Sequence, residues 1–181
     1  MRIDWLVSLS NKLARMERTA CAALAAALTG LILLNVSTRA FNVALFWVDE
    51  LAVYSMIWMA LIGASMLLRE RRHVAVTLLT HALADNRRRT MTLLVDVLIL
   101  AFATGLFLMC LAWYDPVGLL KVGLDIDEFA ASTYNFIYQE PTNTLGVQKF
   151  WIWLVVPIVS ITMSLHAAAN LLEDMAKGAR A

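Results

Sequence analysis

The chain has 181 residues, of which 61% are hydrophobic and 16% are charged, and its formal net charge is +1. A soluble globular domain is typically about 45–50% apolar and about 25% charged. The composition therefore excludes an ordinary soluble domain and favours a membrane protein.

Four long runs with few or no charges indicate four membrane-spanning helices. They cover approximately residues 19–38, 47–68, 90–114 and 150–172. About 20 residues of α-helix cross the hydrocarbon core, and an open sheet or irregular chain would leave backbone groups unsatisfied in lipid. We therefore predict an all-α polytopic membrane protein in which residues 1–181 form a single membrane domain.

The basic residues divide unevenly between the two sides of these spans. Twelve of the fifteen Lys and Arg residues share a side with the loop 69–89, and the other side holds only Arg39, Lys121 and Lys149. Cytoplasmic loops of membrane proteins carry the excess of Lys and Arg, so we predict that this loop and both termini are cytoplasmic. Because topology accounts for the basic cluster, we expect no nucleic-acid binding.

Residues 1–18 place apolar side chains at helical spacing and basic ones elsewhere. This pattern predicts a short amphipathic helix lying on the inner leaflet. A basic start before an Ala-rich run also resembles a signal peptide. However, the run is too long for one and no convincing small-x-small site follows it, so we expect an uncleaved first span.

The first two spans carry small residues and a group of charges near their outer ends. Small residues that let helices approach closely recur at intervals of four in span one, at Ala22, Ala26 and Gly30. In span two, Trp58 lies deeper than an interfacial residue, so we expect it to pack against another helix. Either Arg39 pairs with Asp49 or Glu50, which lowers the cost of charge near lipid, or all three face interfacial water.

Between spans two and three, residues 74–84 are uncharged but too short to cross, so we expect them to lie along the inner surface. Asp96 of span three has two interpretations. It is either part of an ion or proton relay, or a carboxylate near a helix N-terminus, where the helix dipole favours it.

The outer loop 115–148 contains five acidic residues and several aromatic ones. It is long for a connection between neighbouring spans, and its aromatic residues suggest packing on the membrane surface or on a partner. In span four, Pro157 removes one backbone hydrogen bond and is predicted to kink the helix.

The sequence shows no catalytic constellation, metal-binding cluster or phosphate-binding loop. Of the three histidines, His73 and His81 fall in the inner loop, and His166 alone lies within a span. We therefore predict no enzyme activity, no bound cofactor and no metal site, and favour a membrane-embedded partner subunit.

Two stretches resemble the small permease subunit of tripartite ATP-independent periplasmic (TRAP) transporters, the DctQ type. The first comprises Arg39, seven further residues and Trp47-Val48-Asp49-Glu50-Leu51, followed by Gly63-Ala64, Arg69 and His73-Val74-Ala75-Val76. The second is Thr144-Leu145-Gly146-Val147-Gln148-Lys149-Phe150-Trp151-Ile152-Trp153, followed by Pro157. Together they extend the resemblance over nearly the whole chain, and the main departure is a longer and more acidic outer loop.

The resemblance implies a multi-pass protein of the bacterial inner membrane. Its expected partners are a large permease subunit, membrane lipid and, transiently, a periplasmic binding protein that delivers an organic acid. Uptake would use a sodium gradient, with the ion sites in the large subunit. The outer loop either contacts the binding protein or covers the chain's own helices.

The matching residues are then expected to be structural, and none is expected to bind substrate or sodium. Trp47 would lie at the outer boundary, Glu50 would pair with Arg39, and Gly63 would allow close packing. Arg69 and His73 would fix the inner end, and Trp151 and Pro157 belong to the motif of span four. The alternative is a stand-alone four-helix membrane protein, either a small enzyme or a carrier.

Overall fold

The computed structural model describes residues 2–70 and 85–178, which form seven helices. These are α1 (Arg2–Ala40), α2 (Phe46–Glu70), α3 (Asp85–Tyr114), α4 (Pro116–Lys121), α5 (Ile126–Thr133), α6 (Lys149–Trp153) and α7 (Val155–Gly178). Four segments are long and apolar enough to cross a membrane: Asp4–Ala40, Phe46–Glu70, Thr90–Lys121 and Lys149–Ala176. The predicted all-α polytopic architecture is confirmed, while its orientation stays a prediction. His73, His81 and residues 74–84 lie outside the described residues.

Helix α1 corrects the predicted boundary at its start. Instead of a separate amphipathic helix over residues 1–18, one unbroken helix runs from Arg2 to Ala40. Ser10, Ala14 and Glu17 recur every three or four residues, which places them on one helix face, and all three are buried. One face of the start of α1 therefore packs against the bundle, while the opposite face, where Met16 is 68% exposed, lies outside it.

Helix α7 holds the bundle together, because it packs against α1, α2 and α3. Helices α1 and α2 form an antiparallel hairpin, and α3 packs mainly on α7. We call the end with the C-terminus of α1 and the N-terminus of α2 the outer end, following the predicted orientation, and the opposite end the inner end.

The hairpin between α1 and α2 closes through a Schellman motif. Asn42 adopts a left-handed conformation with φ 59°. The N–H of Val43 donates to Thr38 O at 2.9 Å, and the N–H of Asn42 donates to Arg39 O at 3.0 Å. These bonds satisfy carbonyls that the helix end leaves free, so the chain turns back at once and α2 returns beside α1.

The predicted disruption near Pro157 is found three residues earlier, where α6 ends at Trp153 and α7 begins at Val155. Proline clashes with the carbonyl four residues before it and cannot donate to it, and that carbonyl belongs to Trp153. The indole N–H of Trp58 donates to Ile152 O at 2.8 Å. This bond confirms the predicted packing of Trp58 against another helix and ties α2 to the break.

Candidate functional site: a buried polar network between three helices

A buried polar network joins α1, α2 and α7 toward the inner end. Ser10 and His166 are 0% exposed, and Glu17 is 7% exposed. His166 Nε2 lies 3.1 Å from Glu17 Oε2, and His166 Nδ1 lies 2.7 Å from Ser10 Oγ. The hydroxyl of Ser65 donates to Glu17 Oε1 at 2.7 Å and also lies 2.7 Å from Thr162 Oγ1.

The donors and acceptors of this network can all be matched. An ionised Glu17 only accepts hydrogen bonds, so Nε2 of His166 carries the hydrogen between them. Nδ1 faces the Ser10 hydroxyl, which can either donate to it or accept from it. Both ring nitrogens of His166 therefore have partners on α1.

Arg69 forms a second cluster next to the first. Its guanidinium makes a bidentate pair with Glu173, at 3.0 and 2.9 Å, and its Nε donates to Asn11 Oδ1 at 2.9 Å. It also donates to Asn170, whose amide in turn donates to Leu68 O at 3.0 Å. Bidentate arginine–carboxylate pairs fix geometry as well as adding energy, so Arg69 holds α2 against both α1 and α7. The predicted contribution of His73 falls outside the described residues.

At the outer end, the structure corrects the expected pair between Arg39 and Glu50. Arg39 Nη2 instead lies 2.7 Å from Asp49 Oδ2, and Asn35 hydrogen-bonds to both Arg39 and Asp49. Consecutive residues of a helix point about 100° apart. When Asp49 faces α1, Glu50 must therefore face elsewhere.

Glu50 binds the turn that precedes span four. Its carboxylate accepts hydrogen bonds from the backbone N–H groups of Asn143, Thr144 and Leu145 at 2.8, 2.6 and 3.1 Å. The hydroxyls of Thr144 and Tyr54 donate to it as well, at 2.6 and 2.9 Å. Glu50 belongs to the first of the two stretches that resemble the family, and it thus binds the start of the second stretch, at Thr144.

The outer loop covers the ends of the chain's own helices. Phe129 is 0% exposed and Ile137 is 5% exposed. The Tyr138 hydroxyl donates to Tyr114 O at 2.6 Å, and burial is the main cause that raises the pKa of Tyr138 above its ordinary value. These contacts support the interpretation that the outer loop covers the chain's own helices. On the outward face of the loop, Tyr134 remains 82% exposed.

The remaining predicted residues occupy less constrained positions. Trp47 and Trp151 are 41% and 57% exposed. A Cβ added at Gly63 would meet only Cys21 Sγ, at 3.8 Å, which is ordinary van der Waals contact. Helix α2 therefore packs on α1 at this point without needing a glycine.

Two expectations about spans one and three are changed. Ala22, Ala26 and Gly30 are exposed rather than packed against another helix of the chain. Asp96 is 5% exposed and is the twelfth residue of α3, which begins at Asp85. Because the helix dipole acts within about the first turn, it does not stabilise Asp96, and the part of the interpretation that rests on the dipole is wrong; the part that rests on the neighbouring arginines falls on side chains outside the described residues.

Ser10, Glu17 and Ser65 were not among the residues predicted from the sequence. A signal was present in α7, where Thr162, His166, Asn170 and Glu173 recur every three or four residues along a largely apolar helix. Such a polar stripe indicates a face that bonds to other helices. Glu17 was not identified because the pattern of residues 1–18 predicted a separate amphipathic helix on the membrane surface.

The order Ser10–His166–Glu17 is that of a nucleophile, base and acid. However, the Ser10 side chain is wholly buried between helices, so it presents no surface to a substrate. Within residues 2–70 and 85–178, no three His, Cys, Asp or Glu side chains gather as a metal site would require. The arrangement joins helices, and that is the chemistry its geometry supports.

Comparison with known proteins gives two matches. Residues 28–177 match the family described as tripartite ATP-independent periplasmic transporters, DctQ component. A Haemophilus influenzae protein to which a TRAP transporter small permease role is attributed is 29% identical over 94 residues. That alignment covers 51% of this chain and 58% of the relative, so this chain spans little more than half of the relative's length.

Proposed function

This chain belongs to the DctQ component family of the tripartite ATP-independent periplasmic transporters, and from that premise we propose that it is the small membrane subunit of such a transporter. In this role it is a fixed scaffold for a large permease subunit in the bacterial inner membrane. The large subunit carries the sodium sites and moves an organic acid that a periplasmic binding protein delivers.

The scaffold role rests on one observation, the use of buried polar side chains as bonds between helices. Glu17, Ser65 and His166 join α1, α2 and α7, and Arg69 joins the same three helices through Asn11 and Glu173. In a carrier that moves, intramembrane polar residues typically face a substrate or ion pathway. Here they connect helices to one another, which suits a subunit that stays fixed while its partner moves.

The surface of the bundle is consistent with surroundings of lipid and a second subunit. Large apolar side chains of α1 and α3 remain outside the chain's own packing, among them Leu33, Phe102 and Met109, which are 61%, 64% and 71% exposed. Exposed apolar surface of this kind requires a bilayer or a partner to cover it.

The outward face of the outer loop is the proposed contact for the binding protein. Glu50 and Tyr138 hold the loop on the bundle, so its shape is set before any partner arrives. Tyr134 and Phe136 are 82% and 56% exposed, and aromatic side chains of this kind are enriched in protein interfaces. The outward face of the loop is thus already formed and only partly apolar, which is typical of a surface that binds a partner transiently.

Uptake in whole cells tests this function. The genes for a large permease subunit and a binding protein, which we expect beside this one, would be expressed with or without the chain, using the organic acid that stabilises the purified binding protein. We expect sodium-dependent uptake only when the chain is present. Equal uptake without the chain would contradict the proposal.

A variant separates a scaffold from a participant in transport. His166→Ala is expected to lower the amount of assembled complex while leaving uptake per complex unchanged. Arg18→Gln, which removes an exposed pair with Glu70, serves as the control. If His166→Ala complexes assemble normally but do not transport, the network takes part in transport and the scaffold role is wrong.

A further inference from the structure

A shallow, open groove, lined by α1 alone, runs along the exposed side of that helix, opposite the face that carries Ser10 and Glu17. Its volume is about 660 Å³, and its lining consists of Lys12, Arg15, Met16, Thr19, Ala20 and Ala23. The first two residues are basic and the others are apolar or small. The groove thus has a cationic end and an apolar length.

Within residues 2–70 and 85–178, the two basic residues of the groove have no carboxylate partner. Neither Lys12 nor Arg15 forms an ion pair within the described residues, although Arg15 donates a long hydrogen bond to Asn11 O at 3.4 Å. Neighbouring basic residues are occupied, since Arg18 pairs with Glu70 and Arg69 with Glu173. Two like charges on one helix face repel each other, so an anion bound between them would be stabilised.

The groove lies where the chain enters the membrane. The uncharged run that forms span one begins at Thr19, so Lys12 and Arg15 lie at the level of lipid headgroups and the small residues lie below it. From Arg15 to Ala23 the helix rises about 12 Å, which matches the upper part of an acyl chain. Long basic side chains at such a boundary direct their charges toward the interface.

We propose that this groove binds one anionic glycerophospholipid, with its phosphate between Lys12 and Arg15 and an acyl chain along Thr19, Ala20 and Ala23. Clusters of basic residues beside spans recognise anionic headgroups, while the acyl chain supplies the apolar contact. Arg15 also borders the adjoining cavity, whose acids, Glu70 and Glu173, are each bound by another arginine. The site depends on membrane insertion and not on the transport role proposed above.

Native mass spectrometry of the delipidated full chain in detergent tests this site. The chain is titrated with phosphatidylglycerol or phosphatidylethanolamine carrying identical acyl chains. Since each cation near a headgroup is worth roughly fivefold in affinity and the site has two, we expect the first phosphatidylglycerol to bind roughly 25-fold more tightly. Equal binding of the two lipids would overturn the proposal.

Three variants locate the site. K12Q/R15Q should abolish the preference for phosphatidylglycerol, whereas R18Q/R39Q, which removes the same charge from residues already paired, should retain it. Ala23→Phe fills the exposed groove and should weaken binding although both cations remain. Equal losses in the two double variants, or no loss with Ala23→Phe, would show a general charge effect and overturn the proposal.

The assembled transporter provides the last arm of the test. The complex purified with its neighbouring subunits should retain one phosphatidylglycerol that K12Q/R15Q releases. If that lipid is absent from the complex, a partner helix fills the groove and the lipid assignment is wrong.

Discussion

Replacement of Glu17 by alanine tests the buried network most severely. The change removes the acceptor of two interhelical bonds, from Ser65 at 2.7 Å and with His166 at 3.1 Å. Ser65 keeps Thr162 as a neighbour at 2.7 Å, whereas Nε2 of the fully buried His166 loses its partner. Interhelical hydrogen bonds in membranes average about 0.6 kcal/mol and reach about 1.7 kcal/mol. An unsatisfied buried group costs about 1–3 kcal/mol.

We therefore expect Glu17→Ala to lower the free energy of unfolding by about 1–3 kcal/mol. The measurement is reversible unfolding of the purified chain in mixed micelles, followed by circular dichroism. Arg18→Gln provides the comparison at the adjacent residue, because the pair of Arg18 with Glu70 is worth at most about 1 kcal/mol.

A double-mutant cycle separates the bond from the side-chain volume. Ser65→Ala deletes one hydroxyl from a fully buried position, and Thr162 can still donate to Val159 O at 3.1 Å. The coupling energy between Glu17→Ala and Ser65→Ala should be about 0.6–1.7 kcal/mol. A coupling within about 0.3 kcal/mol of zero would refute the view that this contact holds α1 to α2.

Three further predictions concern the turn, the glycine and the outer loop. Glu50→Ala should raise hydrogen exchange at amides 143–145 by roughly tenfold or more, because those N–H groups lose a charged acceptor; unchanged exchange would contradict this. Gly63→Ala should be neutral or stabilising by up to about 1 kcal/mol, since its Cβ meets only Cys21 Sγ at 3.8 Å; a loss above about 2 kcal/mol would restore the close-packing prediction. Burial raises the pKa of Tyr138 in the folded protein above its ordinary value of about 10. The contribution of the neutral Tyr138 side chain to the free energy of unfolding is therefore complete below about pH 10 and is lost as the pH rises through the folded-state pKa. Tyr138→Phe should make this decline in the free energy of unfolding less steep.

The spans could be predicted from the sequence because the signal is local. An uncharged run of about 20 residues has one inexpensive location, the hydrocarbon core, and the four runs correspond to the four spanning helices. The disruption near Pro157 was predictable for the same reason, since proline acts on the carbonyl four residues before it.

Contacts between helices could not be predicted with the same precision. The sequence placed Arg39 near both Asp49 and Glu50, but the choice depends on how α2 is rotated about its axis. Rotation is set by packing along the whole helix, and the structure assigns Asp49 to Arg39 and Glu50 to the turn at 143–145.

Glu17 illustrates a different difficulty. A carboxylate among basic residues is typical of a surface helix. Only the structure, in which Glu17 is buried with Ser10 and His166, shows that it bonds to another helix. The partners lie 48 and 149 positions away along the chain. No local pattern around Glu17 contains that information, although the polar stripe of α7 marks one half of the contact.

Purification of the tagged chain from cells that also express its genomic neighbours tests whether it is a transporter subunit. We expect a stable complex in detergent with a large, multi-span permease subunit, in equal amounts. Recovery of the chain alone, with transport or redox activity of its own, would contradict it.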